Sequence, residues 1–258
     1  MPSSPSRNLE LLRLRAGASL DHHGRIIGCY GVTIAACDDG QALWIGAEVP
    51  DAMASELTAA FDRASPASYP AEPRSALDLC AAILGAADGA MQRTAGPSYV
   101  IPPDTQFASD VAIERSGGSN VERLRAGNPG NWHPVEWEEL LGGRFGPWAI
   151  ATDGDHVVSI CHTPGPITDR SVECGVWTAP AFRGRGYAAA VTSAWVALVR
   201  SPQRTLFYST DADNLSSQRV AQRLHLRNFG WTWRLHRARA EPDVRVHPLC
   251  SLYQGATA

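Results

Sequence analysis

The chain reads as an α/β protein of two parts: a smaller N-terminal α/β domain over residues 1–100 and a larger α/β domain over 101–236, followed by a tail, 237–258. Three observations predict this. Short β-branched and aromatic runs alternate with longer stretches whose apolar residues recur at helical spacing. The stretch Gly96 to Gln106, with Pro97, Pro102 and Pro103, reads as a linker. The run from Val176 to Ala188 passes from strand pattern, through a turn with two glycines, into a long apolar helix. With 258 residues, 44% of them hydrophobic, the chain can bury a sizeable core.

In chain order, Leu9, Leu11, Leu12 and Leu14 interleaved with arginines suggest a short amphipathic segment. Ile26 to Ile34 and Ala42 to Ile45 read as a hairpin around Asp38-Asp39-Gly40. Pro50 opens a helix carrying Met53, Leu57 and Phe61 that runs to about Arg63, and Leu77, Leu79, Ile83 and Leu84 predict another. Beyond the linker come a strand at Val111 to Glu114, a short helix through Arg125 capped by Ser119-Asn120, and a helix opened by His133-Pro134 and stopped at Gly142-Gly143. Trp148 to Ala151 and His156 to Cys161 form a second hairpin around Asp153-Gly154-Asp155, and Ser171 to Thr178 is the strand that feeds the glycine turn. The helix from Ala188 to about Arg200 is apolar nearly all round, hence buried. A strand at Thr205 to Thr210, a helix starting at Asp213-Asn214 and a strand at Phe229 to Leu235 complete the series.

Composition bounds the function. A net charge of −3 and a pI near 6.2 give no general basic field, so neither nucleic acid nor a membrane surface is expected as a partner. All 23 basic residues are arginine, which excludes a lysine nucleophile, a Schiff base and a P-loop lysine. The six cysteines show no C-x-x-C pair and lie mostly in apolar runs, which predicts reduced, buried thiols and a cytoplasmic protein; Met1-Pro2-Ser3-Ser4-Pro5 carries no secretory pattern. Adjacent His22-His23 beside Asp21 lack spaced partners and read as a polar turn, so no metal is expected. Association as a homodimer is left open.

The glycine turn carries the chemistry. Two glycines around an arginine let successive backbone N–H groups converge, and the following helix adds its positive dipole end, so an anionic ligand is expected there. A Walker A loop is excluded by the absence of lysine. A dinucleotide fingerprint is formally matched by Gly184-x-Gly186-x-x-Ala189, with Asp211 later, but Pro180 to Arg183 separate the strand from its first glycine. The third pattern, [QR]-x-x-G-x-[GA], is satisfied by Arg183-Gly184-Arg185-Gly186-Tyr187-Ala188.

By that motif, together with Glu173-x-Gly175-x-Trp177-x-x-Pro180 before it and Asn214-x-x-Ser217-x-x-Val220-Ala221-x-x-Leu224 after it, the sequence resembles the GNAT superfamily of acetyl-CoA-dependent N-acetyltransferases over residues 107 to 236. The resemblance implies a GNAT fold, a mixed and mostly antiparallel central sheet with flanking helices, and leaves open that the N-terminal domain is a degenerate half of the same kind. It implies acetyl-CoA as co-substrate. The backbone of Arg183, Gly184, Arg185, Gly186, Tyr187 and Ala188 would then hold the pyrophosphate. Val176, Trp177 and Thr178 would border the pantetheine as a strand edge, and Asn214 and Ser217 would contact its arm. Glu173 is the expected base, directly or through a water, with a carboxylate–arginine pair as the structural alternative. The family often places a tyrosine seven residues after the helix asparagine as general acid. This chain has Ala221 there, so Tyr208 becomes the replacement candidate beside a simple packing role, and departure of an unprotonated thiolate stays open. His162 reads as a base, an acceptor contact or a turn residue. The expected function is acetyl transfer from acetyl-CoA to a primary amine of a small molecule by direct attack in a ternary complex. An acyl-CoA sensor without turnover and a peptide or protein N-terminal acetyltransferase are the alternatives.

Overall fold

The structure, a computed structural model, describes residues 7–88, 91–118 and 121–237. By their internal contacts the described residues divide into two compact units, one formed by residues up to Ser98, Thr210–Asp213 and the segment from Asn228, the other by Tyr99–Ser209 and Asn214–Arg227.

The first unit holds α1 (Asn8–Gly17), β1 (Tyr30–Cys37), β2 (Gly40–Ile45), α2 (Asp51–Arg63), α3 (Arg74–Asp88), most of β3 (Met91–Ile101) and nearly all of β9 (Arg227–Arg237). Its strands are ordered β2-β1-β9-β3, with β1 antiparallel to both β2 and β9. Val32, Ile34, Leu57, Leu77, Trp233 and Leu235 form its core. The hairpin and both helices fall where the sequence placed them, with two differences. β1 begins at Tyr30, not Ile26, because Gly28 takes φ +133°, outside the extended range, and Ile26 makes only isolated bridges to Leu20 and Gly46. The proposed linker is largely strand. β3 runs through Pro97 to Ile101, and the Pro97 carbonyl, on a residue with no N–H to give, accepts from Thr210 N–H at 3.4 Å.

The second unit holds β4 (Ala112–Arg115), α4 (Val121–Arg125), α5 (Pro134–Leu141), β5 (Ala149–Asp153), β6 (His156–His162), β7 (Ser171–Thr178), α6 (Tyr187–Val199), β8 (Thr205–Ser209) and α7 (Leu215–Arg223). Its strands follow the order β8-β7-β6-β5-β4. Every pair is antiparallel except β7 with β8, the mixed, mostly antiparallel sheet the sequence predicts. His133 caps α5 in a capping box with Glu136, and Pro134 occupies its first turn.

Two cores cover the two faces of this sheet. On one, Ala149, Ala151, Cys161, Val172 and Cys174 pack against α6 through Ala194, Trp195 and Val196. On the other, Ile150, Ile160 and Val157 pack against Trp132, Trp137, Leu140 and Leu141. Alternation along β7 therefore sends Cys174 and Val176 toward α6, and Glu173, Gly175 and Trp177 toward the tryptophan-rich face.

Four of the five described cysteines are buried, but Cys29 is exposed, contrary to a uniformly buried set. No helix among the described residues is long and apolar enough to cross a membrane. The Ser119-Asn120 cap and, apart from Arg237, the tail 237–258 lie outside the described residues.

Candidate active site

The site is built where β7 and β8 part. Their parallel pairing covers only Ser171–Cys174 against Thr205–Tyr208, whereas β6 pairs with β7 on through Gly175 to Thr178. From Gly175 onward β7 thus borders a gap on its β8 side. The backbone orientation there can be read from three contacts. The Trp177 carbonyl accepts from Ser159 Oγ of β6 at 2.8 Å, and Ala179 N–H donates to Val158 at 2.9 Å, so these groups face β6. The Thr178 carbonyl instead accepts from Arg183 Nε at 3.3 Å, on the opposite edge. By alternation, the N–H and C=O of Val176 and Thr178 face the gap.

After β7 the chain makes one 3-10 turn, Pro180–Phe182, and enters the loop. Gly184 and Gly186 have φ +82° and +92°, the left-handed region that a side chain disfavours. Gly186 is the N-cap of α6 and brings no capping side chain, and the helical ladder opens with Ala190 N–H to the Gly186 carbonyl at 3.0 Å. The N–H groups of Tyr187, Ala188 and Ala189 therefore precede the ladder, at the positive end of the helix. A Cβ at Gly184 would meet nothing within 4 Å, whereas one at Gly186 would lie 3.3 Å from the Phe107 ring. Arg185 stacks 5.1 Å over the Phe182 ring, leaving its guanidinium beside the loop. A third arginine, which the sequence reading missed, is Arg223 at the end of α7, whose Nη1 lies 3.5 Å from the Gly184 carbonyl. Nothing local signals it, since it is 39 residues from that glycine on an exposed helix face.

Asn214 is the N-cap of α7, its Oδ1 accepting from Ser217 N–H at 3.0 Å. Its Nδ2 donates to nothing among the described residues. Glu173 sits at the fork: it is opposite Phe207 in register, and its carboxylate accepts a hydrogen bond from Ser209 Oγ, where β8 ends.

Tyr208 is placed differently from the acid the sequence suggested. It is opposite Cys174 in register and so on the other face from Glu173; it is 2% exposed, and its hydroxyl donates to the Ser217 carbonyl at 3.2 Å. Burial pushes the phenol up from its ordinary value. Ala221, at the place where the resemblance would put a tyrosine, is fully buried.

The fork, the glycine loop and the following helix fall within a family model for the acetyltransferase (GNAT) domain, which matches residues 98–227, half of the chain. The chain belongs to the GNAT acetyltransferase family. Solved structures of GNAT proteins resemble it at low identity. An acetyltransferase from Colwellia psychrerythraea shares 11% identity, with 85% of this chain and 80% of that one covered, at a TM-score of 0.46. A GCN5-related N-acetyltransferase from Sphaerobacter thermophilus shares 19%, with 64% and 56% covered, at 0.44. A protein assigned to the GNAT family from Novosphingobium aromaticivorans shares 19%, with 56% of this chain covered, at 0.42; this chain spans 64% of its length. No curated protein sequence matches the chain.

The loop and fork fit the anionic, strand-like co-substrate that GNAT acetyltransferases use. Gly184 leaves open space where a side chain would stand, unsatisfied helix N–H groups and three arginines surround the turn, and the β7 edge offers backbone groups for an extended arm. Among the described residues only Cys37, Asp38 and Asp39, in the first unit, could share an ion. There burial, with the adjacent Asp39 carboxylate, pushes the Cys37 thiol up to about 12.

Proposed function

We propose that this GNAT protein transfers an acetyl group from acetyl-CoA to the primary amine of a small molecule by direct attack within a ternary complex. The observation that carries this reading is the fork between β7 and β8 opening directly onto the Gly184–Gly186 loop. In this reading the first-turn N–H groups of α6 and the loop backbone hold the pyrophosphate, with Arg183, Arg185 and Arg223 neutralising it. Val176 and Thr178 pair with the pantetheine as an added strand, Trp177 braces that strand from the opposite face, and Asn214 Nδ2 and Ser217 contact the arm.

The amine reaches the enzyme mainly as an ammonium ion and must lose a proton before its lone pair can attack. Glu173 accepts that proton, directly or through a water, while Ser209 Oγ fixes its carboxylate. A carbon–nitrogen bond forms at the thioester carbonyl, whose oxygen takes up negative charge beside the Val176 N–H. The attacking nitrogen, cationic once the bond has formed, gives its second proton to water; the carbon–sulfur bond breaks, the pair leaves on sulfur and a neutral amide remains. The thiolate takes its proton from solvent, since Tyr208 is enclosed and committed to Ser217 and Ala221 has no proton to give. Tyr208 is accordingly a positioning residue that seats the first turn of α7.

The absence of an acid on α7 favours one second reading, an acyl-CoA sensor without turnover. A thiol-release assay over an amine panel separates the two. Turnover that falls about a hundredfold or more in Glu173→Gln, with acetyl-CoA affinity retained, supports transfer. Tight acetyl-CoA binding without turnover of any amine supports the sensor.

A further inference from the structure

The face of the sheet that carries Glu173 also carries two buried polar rings without hydrogen-bond partners among the described residues. His162, at the end of β6, is 5% exposed, and neither ring nitrogen makes a hydrogen bond of full geometry, the Gly175 backbone beside it acting only weakly on the imidazole. Trp132, on the loop between α4 and α5, is 8% exposed, and its Nε1 is unbonded as well. Their rings meet edge to face at 5.2 Å. Neighbouring tryptophans behave otherwise: Trp137 Nε1 donates to the Leu124 carbonyl at 3.1 Å, Trp148 Nε1 to that of Leu141 at 3.4 Å and Trp195 Nε1 to Thr163 Oγ1 at 3.2 Å. Buried polar groups in native folds are ordinarily bonded, so two adjacent exceptions point to a partner that arrives from outside.

Their location says which partner. His162 stands opposite Gly175 in register, and its Cε1 lies 3.0 Å from where a Gly175 Cβ would be, so the absent side chain is what lets the imidazole lie against β7. Gly175 is two residues from Glu173, on the same face. We propose that His162 and Trp132 recognise the acceptor, and that it is an amine bearing a carboxamide or hydroxyl group and no carboxylate. The proposal rests on the acetyl-transfer reading, which makes the bound amine an acceptor.

The donor and acceptor inventory carries the choice. An indole offers one N–H; a neutral imidazole offers one N–H and one acceptor nitrogen. Burial holds His162 neutral, well below its ordinary value. Two donors and one acceptor match a carboxamide, whose carbonyl accepts and whose NH2 donates, and match a hydroxyl through the same dual capacity. A carboxylate accepts only. It would leave the imidazole acceptor unbonded and set a second anion beside Glu173 among the apolar walls of Trp137, Phe145 and Trp177. Because the three nitrogens are enclosed, the partner reaches them as the Trp132 ring turns outward. Trp132 lies on the α4–α5 loop, past Gly130 at φ +86°; Asn128 Nδ2 ties the Trp132 carbonyl at 3.0 Å and leaves the side chain as the part that turns.

A matched set tests this on the full chain: leucinamide, leucine and isoamylamine share a side chain and amine and differ only in carrying carboxamide, carboxylate or hydrogen. Expected is a kcat/KM for leucinamide at least about tenfold above both others. His162→Phe should erase the advantage over isoamylamine while leaving the KM for acetyl-CoA unchanged. Independently of turnover, leucinamide added with CoA should shift the indole N–H resonance of Trp132, assigned by its absence in Trp132→Phe. Equal rates for the three amines, a preference for leucine, or an unmoved Trp132 resonance overturns the proposal. Leucinamide that shifts the resonance without being acetylated upholds the pocket and refutes transfer. Acetylation without discrimination does the reverse.

Discussion

Alanine at Gly184 and at Gly186 separates what the loop does for the fold from what it does for the coenzyme. Both glycines hold left-handed backbone, at φ +82° and +92°, so each substitution costs about 1–2 kcal/mol of backbone strain. For a unit of this size that corresponds to a fall in Tm of about 3–10 °C. At Gly184 the cost stops there, because the new Cβ meets no atom within 4 Å. At Gly186 the methyl meets the Phe107 ring at 3.3 Å, which must give by a few tenths of an ångström, so Gly186→Ala should be the less stable of the two. Affinity follows a different order. A methyl at Gly184 projects into the open mouth of the loop and blocks approach of an anion to the N–H groups. Losing one hydrogen bond to a charged group costs about 1.5–3 kcal/mol, or about 10- to 150-fold in Kd. Thermal unfolding followed by circular dichroism, with calorimetric titration of acetyl-CoA, measures both quantities. Gly184→Ala binding acetyl-CoA within twofold of the unaltered chain would refute the loop as the phosphate site, whatever its Tm.

Tyr208→Phe should cost about 1 kcal/mol of stability, since the Ser217 carbonyl loses its donor, and should leave kcat within about threefold; a hundredfold fall would make the phenol the acid after all. Asn214→Ala should lower stability by about 0.5–2 kcal/mol through the lost cap and weaken acetyl-CoA binding in titration as well, whereas unchanged affinity would remove Nδ2 from the site. The pH dependence of stability follows from His162, which burial lowers from 6.5 to about 4. The unfolded chain takes up this proton below about 6.5 and the folded chain only near 4, so its contribution is complete above 6.5 and is lost as pH falls through that window, about 3 kcal/mol in all. Denaturant titrations at pH 7 and 4.5 should show a smaller acid loss in His162→Phe than in the unaltered chain, and equal losses would contradict a neutral buried imidazole.

The loop was legible in the sequence because its requirements are local. Left-handed backbone calls for glycine, and a helix start behind it reads from periodicity, so residues 183–188 could be assigned a cradle from their own chemistry. What depends on register was not legible. Tyr208 and Glu173 are close in the two-strand pairing, yet a step of one residue puts them on opposite faces, and no property of either residue announces that step. Pro97, Pro102 and Pro103 read as a linker because proline punctuates loops, but a strand accepts Pro97 where no hydrogen is required of it. Arg223 and the paired orphan nitrogens of His162 and Trp132 come together only through tertiary packing.

The pairing of β9 with β1 sets an order of assembly. The stretch Tyr99 to Arg227 contains the fork, the loop and both cores of its own sheet, so a ribosome can finish that unit while about ten more residues of the final strand are still to come. The first unit is made earlier yet must wait, because β1, near the start of the chain, has one hydrogen-bonding edge closed by β2 and the other by a strand roughly 200 residues later. Until Trp231, Trp233 and Leu235 arrive, that edge stays open to any neighbouring strand. One edge of β1 is thus secured only by the last of the described strands.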